Sequence, residues 1–221
     1  MTNNNGIQDE ALKQLRLIYE RFAKSSKPIN RAYLESVHAL INLTETNDPY
    51  TKRHSVKVSN YAGLLSRAIG MSKKEVDSVK LAAILHDIGK VGIRAKILLK
   101  NGALNHAEYE EVKKHSEIGA DIAKPLKFFN EVIYMIKHHH ENYDGTGYPD
   151  GLEGASIPLG SRILAIADAY DALTSTRAYR KAYSSEKAIG IMKSESGKKF
   201  DPVLLETFLE SLERRRKESG K

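Results

Sequence analysis

The sequence predicts an all-α fold, and three observations carry that reading. Apolar residues recur at three- and four-residue spacings along nearly the whole chain, helix-capping signals punctuate it at intervals, and no stretch shows the alternation of a half-buried strand. Taken in order, helices are expected over 8–23, 30–45, 51–69, 73–87, 105–115, 116–124, 128–140, 160–173, 185–195 and 202–217. The first two are amphipathic and separated by the loop-like KSSKPIN; with no candidate ligands in them, residues 1–45 read as an N-terminal helical extension, a linker or a dimer-forming segment. The third carries Val58, Ala62 and Leu65 at helical spacing after His54. Ser72 with Glu75 and Asn105 with Glu108 have capping-box spacing, and Gly89 is read as the stop of the helix containing LAAIL. Asp201 followed by Pro202 is a cap and first-turn signal before LLETFLESLERRRK. Two long loops interrupt the pattern, one after Lys90 and one over 141–159, where six glycines and prolines argue against regular structure.

A chain of 221 residues with 41% apolar and 29% charged residues has the composition of a globular protein with a substantial core, and we read one domain over 46–221. No apolar run approaches the length of a membrane span, and MTNNNGIQDE lacks a secretory pattern, so a cytoplasmic location is expected. The absence of cysteine leaves nitrogen and oxygen as metal ligands. The net charge of +7 favours acidic partners, but part of it lies in the run Arg214 to Lys217, an ordinary solvated helix end. Nucleic-acid binding is not expected, since no pattern of stacking aromatics accompanies the charge and Trp is absent. A small phosphorylated substrate satisfies the charge.

Chemistry concentrates in His138-His139-His140-Glu141-Asn142-Tyr143-Asp144-Gly145-Thr146-Gly147-Tyr148-Pro149, preceded far upstream by His86-Asp87. Neutral imidazole is the commonest metal ligand, and a histidine run adds little to an apolar core, so the pattern points to a metal-dependent hydrolase. His86 and Asp87, neighbours on a helix, diverge by about 100 degrees and reach different sides of one centre or bridge two. From the dipeptide alone, an exposed capping pair is an equal reading. Asp168 lies inside the apolar ILAIADAYDAL, with Asp171 one turn later on nearly the same face. Buried carboxylates need partners, and we assign metal ligation to Asp168 and polar contacts to Asp171, with Arg162 or Arg177 as the competing salt-bridge explanation. Single histidines at His54 and His115 carry little signal, and His38 and His106 read as ordinary structural residues.

The ordered set of His54 in KRHS, LHDIGKVGI, KKHSEIGA, HHHENYDGTGYPDGL, IPLGSRILAIADAYDALTSTRAYRKA and KKFDPVLL resembles the HD-GYP family, HD-superfamily phosphohydrolases that degrade cyclic di-GMP. The resemblance covers approximately Leu43 to Phe208 and implies a compact HD-type helical bundle. It further implies two divalent metal ions, iron or manganese. His54, His86, Asp87 and Asp168 would hold one ion, and His115, His139 and His140 the other, with Asp87 bridging them. His138 falls outside the ligand set. Tyr50 stands where some members carry a further acidic ligand, so two ions are expected and not three. Tyr143 and Ala178 depart from the family pattern without removing a reactive group.

The expected reaction is hydrolysis of cyclic di-GMP to the linear pGpG, with onward cleavage to GMP left open. Paired cations can share a bridging water, lower its pKa and present hydroxide in line with the phosphorus. Lys90 and Asp87 are the expected catalytic residues, Lys90 stabilising or protonating the departing 3′ oxygen. Tyr148 would stack on a guanine, Asp171 would contact a guanine edge, and Arg177 and Arg180 would bind phosphate or guanine. Competing expectations are a low-activity cyclic di-GMP receptor or partner-binding module, and a hydrolase of another cyclic dinucleotide or nucleotide. Homodimerisation through the N-terminal helices and pairing with diguanylate cyclase domains are the protein partners considered.

Overall fold

The structure is a computed structural model and describes residues 54–100, 102–124, 130–176 and 181–219. The two expected N-terminal helices, the dimer contact assigned to them, Tyr50, His38, Arg177 and Arg180 lie outside the described residues. Nine α-helices are present among those described: α1 (His54–Ala68), α2 (Lys73–Leu85), α3 (Ala95–Leu98), α4 (His106–Lys113), α5 (His115–Ala123), α6 (Asn130–Lys137), α7 (Leu159–Thr174), α8 (Ser185–Ser194) and α9 (Pro202–Ser219). Short 3₁₀ turns occupy Ile88–Gly92 and Gly154–Ser156. No strand forms among the described residues, which contain only the isolated bridges Asp144 to Glu153 and Ser196 to Phe200. No helix described is long and apolar enough to cross a membrane.

The capping signals set the boundaries. The Ser72 hydroxyl accepts from Glu75 N while Glu75 accepts from Ser72 N, and Asn105 and Glu108 do the same, so α2 and α4 each start with a reciprocal pair that satisfies otherwise orphaned donors. Asp201 Oδ1 accepts from the backbone of Val203 and Leu204 at the start of α9, and its Oδ2 takes Arg162 at 2.7 Å. Arg162 is thereby committed to Asp201 and does not serve Asp168 or Asp171.

Helix α2 is buried from Val76 to Val79 and from Leu81 to Leu85, and α7 is buried over most of its length, so these two form the centre of the bundle. Helix α1 packs on α2, α7 and α9, while α6 covers α2 and α7 and α8 covers α7 and α9. Phe208 of α9, fully buried, meets Tyr61 and Tyr170 edge-on at 6.1 and 5.4 Å between ring centroids, closing one end of the core.

Two differences from the expected elements matter for the site. The helix expected over 73–87 ends at Leu85, and the chain tightens into the 3₁₀ turn through Asp87. Gly89, expected as the stop of this helix, lies instead within the 3₁₀ turn that follows it. A Cβ there would lie 1.9 Å from the His115 carbonyl oxygen and 2.5 Å from Gly119 N, so glycine is required because this turn presses directly on the backbone of α5. Likewise the helix expected over 128–140 ends at Lys137, which puts all three consecutive histidines in turns.

Candidate metal centre

Seven side chains from distant parts of the chain converge where α1, the end of α2, α5, the end of α6 and α7 meet. His54 opens α1, His86 caps α2, Asp87 begins the 3₁₀ turn, His115 opens α5, and Asp168 lies within α7. Two groups of potential ligand atoms result, each with its atoms within 4.8 Å of one another: His54, His86 and Asp87, and His115, His139 and His140. Asp87 faces both. Its Oδ2 lies 3.4 Å from His86 Nε2 and 3.9 Å from His54 Nε2, and its Oδ1 lies 3.6 Å from His115 Nε2. Asp168 Oδ1 joins the first group at 3.2 Å from His54 Nε2.

The imidazoles are oriented from behind. His86 Nδ1 meets the Ala83 carbonyl at 2.8 Å, and His115 and His139 Nδ1 meet the carbonyls of Val112 and Ile136 at 2.6 Å each. A carbonyl can only accept, so each Nδ1 carries the proton and each Nε2 lone pair faces inward, the tautomer a metal ligand needs. His54 Nδ1 instead faces Asp171 Oδ2 at 2.8 Å. The other Asp171 oxygen accepts from Ser175 Oγ at 3.0 Å and lies 3.4 Å from Lys57 Nζ. Asp171 is buried, with one oxygen against His54 and the other against Ser175 and Lys57, so it stands behind His54 in this structure.

Protonation follows burial and charge. Burial, reinforced by neighbouring imidazoles, holds His139 well below the ordinary histidine range and brings His140 down to about 3. Burial also lowers His115. Burial would raise Asp87 and Asp168, yet the charges of Lys90 and the surrounding histidines hold Asp87 well below the usual carboxylate range, and the His54 hydrogen bond does so for Asp168. Neutral His115, His139 and His140 beside ionised Asp87 and Asp168 are ligand-competent states. Five imidazoles and two carboxylates, without sulfur, suit divalent first-row cations, so the residues present fit a metal centre.

His138 is excluded by its contacts. Its Nδ1 meets the Tyr134 carbonyl at 2.9 Å and its Nε2 meets Asp150 Oδ2 at 2.9 Å, turning the ring away from its two successors. Lys90 Nζ donates to Asp87 Oδ2 at 2.7 Å, which places an ammonium beside the centre. Tyr148 stacks on His140 with ring centroids 4.9 Å apart and an interplanar angle of 29°. Burial, then the nearby Tyr109, Asp87 and Asp168, raise its phenol, so the hydroxyl stays protonated.

The loop after the histidines is built to deliver that ring. Glu141, buried, accepts from the backbone of Asp150 at 2.8 Å and Leu152 at 3.1 Å. Tyr148 N donates to the His140 carbonyl at 3.2 Å. A Cβ on Gly147 would lie 2.2 Å from Asn142 N, so the return path is open only to glycine. Sequence reasoning missed Lys57, Ser175, Glu141 and Asp150 as supports of the site. Only Glu141 and Asp150 had a local signal, as acidic residues in the glycine-rich loop.

A helical bundle that gathers histidines and aspartates into a divided, buried cluster is a scaffold whose side chains could hold metal ions. The family model for the HD domain matches residues 38–204, and the chain belongs to the HD domain family. It is similar to the cyclic di-GMP phosphodiesterase response regulator RpfG of Xanthomonas campestris pv. campestris, 36% identical over 91% of this chain and 54% of that protein. It is also similar to the 3′3′-cGAMP-specific phosphodiesterase 3 of Vibrio cholerae, 39% identical over 81% of this chain and 39% of that protein. The chain thus spans about half, or less, of these relatives' length. Among solved structures, Bd1817, an HDG"Y"P protein from Bdellovibrio bacteriovorus, shares the fold with a TM-score of 0.64 at 20% identity, over 94% of this chain and 70% of that one. Metal dependence is the rule for HD-domain phosphohydrolases, and the clusters described here could bind metal.

Proposed function

We propose that this chain is a cyclic di-GMP phosphodiesterase that opens one 3′–5′ phosphodiester to give pGpG. The observation that carries the reading is Asp87, whose two oxygens face two separate histidine groups. His54, His86, Asp87 and Asp168 would hold one divalent cation, and Asp87, His115, His139 and His140 a second; iron or manganese suits this mixture of nitrogen and oxygen. Such a pair supplies Lewis-acid charge to the phosphate and an activated water.

The protein's own residues divide the remaining work. Asp171 holds His54 in place and keeps its inward nitrogen aimed at the centre. Lys90, beside Asp87, stabilises charge on the departing 3′ oxygen. Tyr148 offers a ring next to His140 on which a guanine stacks. Arg177 and Arg180, which follow α7, bind phosphate or guanine. The relatives named for cyclic di-GMP support this substrate, and the relative named for 3′3′-cGAMP supports a second reading in which the mixed dinucleotide is cleaved.

Chromatographic analysis of products from metal-loaded protein given each dinucleotide tests the function. Conversion of cyclic di-GMP to pGpG is the expected outcome, faster than conversion of 3′3′-cGAMP. Hydrolysis of neither, by protein that still cleaves bis(p-nitrophenyl) phosphate, would overturn the substrate assignment while leaving the metal centre standing.

A further inference from the structure

Helix α4 carries no expected ligand, yet two of its side chains flank the proposed substrate ring. Tyr109 and Lys113 stand one turn apart, with the Lys113 ammonium 5.0 Å from the Tyr109 ring centroid and 5.6 Å from that of Tyr148. A series of side chains thus leads outward from the centre: His139 and His140 at 4.0 Å, His140 and Tyr148 at 4.9 Å, then Lys113, then Tyr109. Exposure grows along it, from the buried His139 to Tyr109, which is 47% exposed. An exposed aromatic at the outer end of such a series has an unused face and loses little entropy on binding a base. Lys113 is itself fixed by Glu110 at 2.7 Å.

We propose that Tyr109 and Lys113 form a second base-binding element of the substrate site, Tyr109 stacking on the purine not held by Tyr148 and Lys113 donating to that purine's acceptor edge. The proposal rests on the phosphodiesterase reading above. A cyclic dinucleotide needs it because fixing one phosphate at the centre leaves two bases to be placed, and Tyr148 supplies a ring for one. Guanine presents the adjacent acceptors O6 and N7, whereas adenine replaces O6 with a donor that an ammonium repels. An ammonium directed at this edge of the second base therefore favours guanine there.

The test is steady-state kinetics of the metal-loaded chain and its Tyr109→Ala, Tyr109→Trp and Lys113→Ala variants on cyclic di-GMP, 3′3′-cGAMP and bis(p-nitrophenyl) phosphate, with metal content measured for each. Base stacking on an aromatic contributes about 1–3 kcal/mol, so Tyr109→Ala should raise KM for cyclic di-GMP about ten-fold, with kcat and the generic ester little changed. Tyr109→Trp should restore KM, and Lys113→Ala should narrow the preference for cyclic di-GMP over 3′3′-cGAMP. An unchanged KM in Tyr109→Ala, or equal losses on the generic ester at full metal content, overturns this inference alone. Wild-type protein that cleaves the ester but neither binds nor cleaves a cyclic dinucleotide overturns the functional reading, and the inference with it.

Discussion

Burial disfavours a charged His54, yet hydrogen bonds to Asp168 and Asp171, with the charge of Asp87 behind them, raise its imidazole to about 9. In metal-free protein near neutrality it is therefore protonated, and a cation entering the first group must displace that proton. The sign follows: affinity for the first ion should rise with pH up to about 9, and loading at pH 7.5 should release a proton. Calorimetry in buffers of different ionisation enthalpy reads that release; none would mean that His54 is already neutral or is not a ligand. Replacing Asp171 with Asn removes the charge behind His54 and should weaken the first ion about 10- to 100-fold, the usual range for such supporting partners, while the second keeps its affinity. Lys90→Ala should keep both ions and lower kcat, by about 10²-fold if it acts on the leaving oxygen, and full activity at saturating substrate would make it a bystander. The contact between His54 and Asp171 spans 117 residues, and nothing local in the sequence reports it. By contrast, His86, Asp87, His139 and His140 were legible because they stand in short unusual strings.

Among the elements, the 3₁₀ turn after α2 does most to assemble the two groups, because it carries Asp87 and rests on the first turn of α5, which carries His115. Gly89→Ala drives a methyl into the His115 carbonyl and should cost about 1–3 kcal/mol as an overpacking change, with metal lost from both groups. Gly190→Ala in α8 is the matched control: its Cβ would meet nothing within 4 Å, and the added helix propensity should leave the protein unchanged or stabilise it by up to about 1 kcal/mol. Thermal melts and metal analysis of the two variants separate these outcomes; equal melting temperatures would contradict the close approach. The longer helices among the described residues and their caps were legible in periodicity and in Ser72, Asn105 and Asp201, whereas α3 falls in the stretch read as a loop after Lys90. The early end of α2 was not, since LAAILHD continues a helical pattern and only the approach of α5, which propensity does not encode, bends the chain at His86.

For the whole molecule, the centre ties together elements that are otherwise joined only through packing: α1, the end of α2, α5, the end of α6 and α7 each contribute a candidate ligand. Each ion that binds only the folded chain should stabilise it by about 2.7 kcal/mol at a free concentration one hundred times its Kd. Chelation should accordingly lower Tm, and added Mn²⁺ should restore it; a Tm indifferent to metal would show that the seven side chains do not act as ligands. The all-helical class was legible because one period governs every stretch outside the two long loops, whereas the supports Lys57, Ser175 and Glu141 belong to no repeating pattern. The central claim is that Asp87 joins two cation sites in one buried cluster. Its most direct test is the number of ions per chain in protein prepared anaerobically with iron or manganese, wild type beside Asp87→Ala. The account predicts close to two ions for the wild type and a loss from both sites in the variant; one ion or none in the wild type would contradict it.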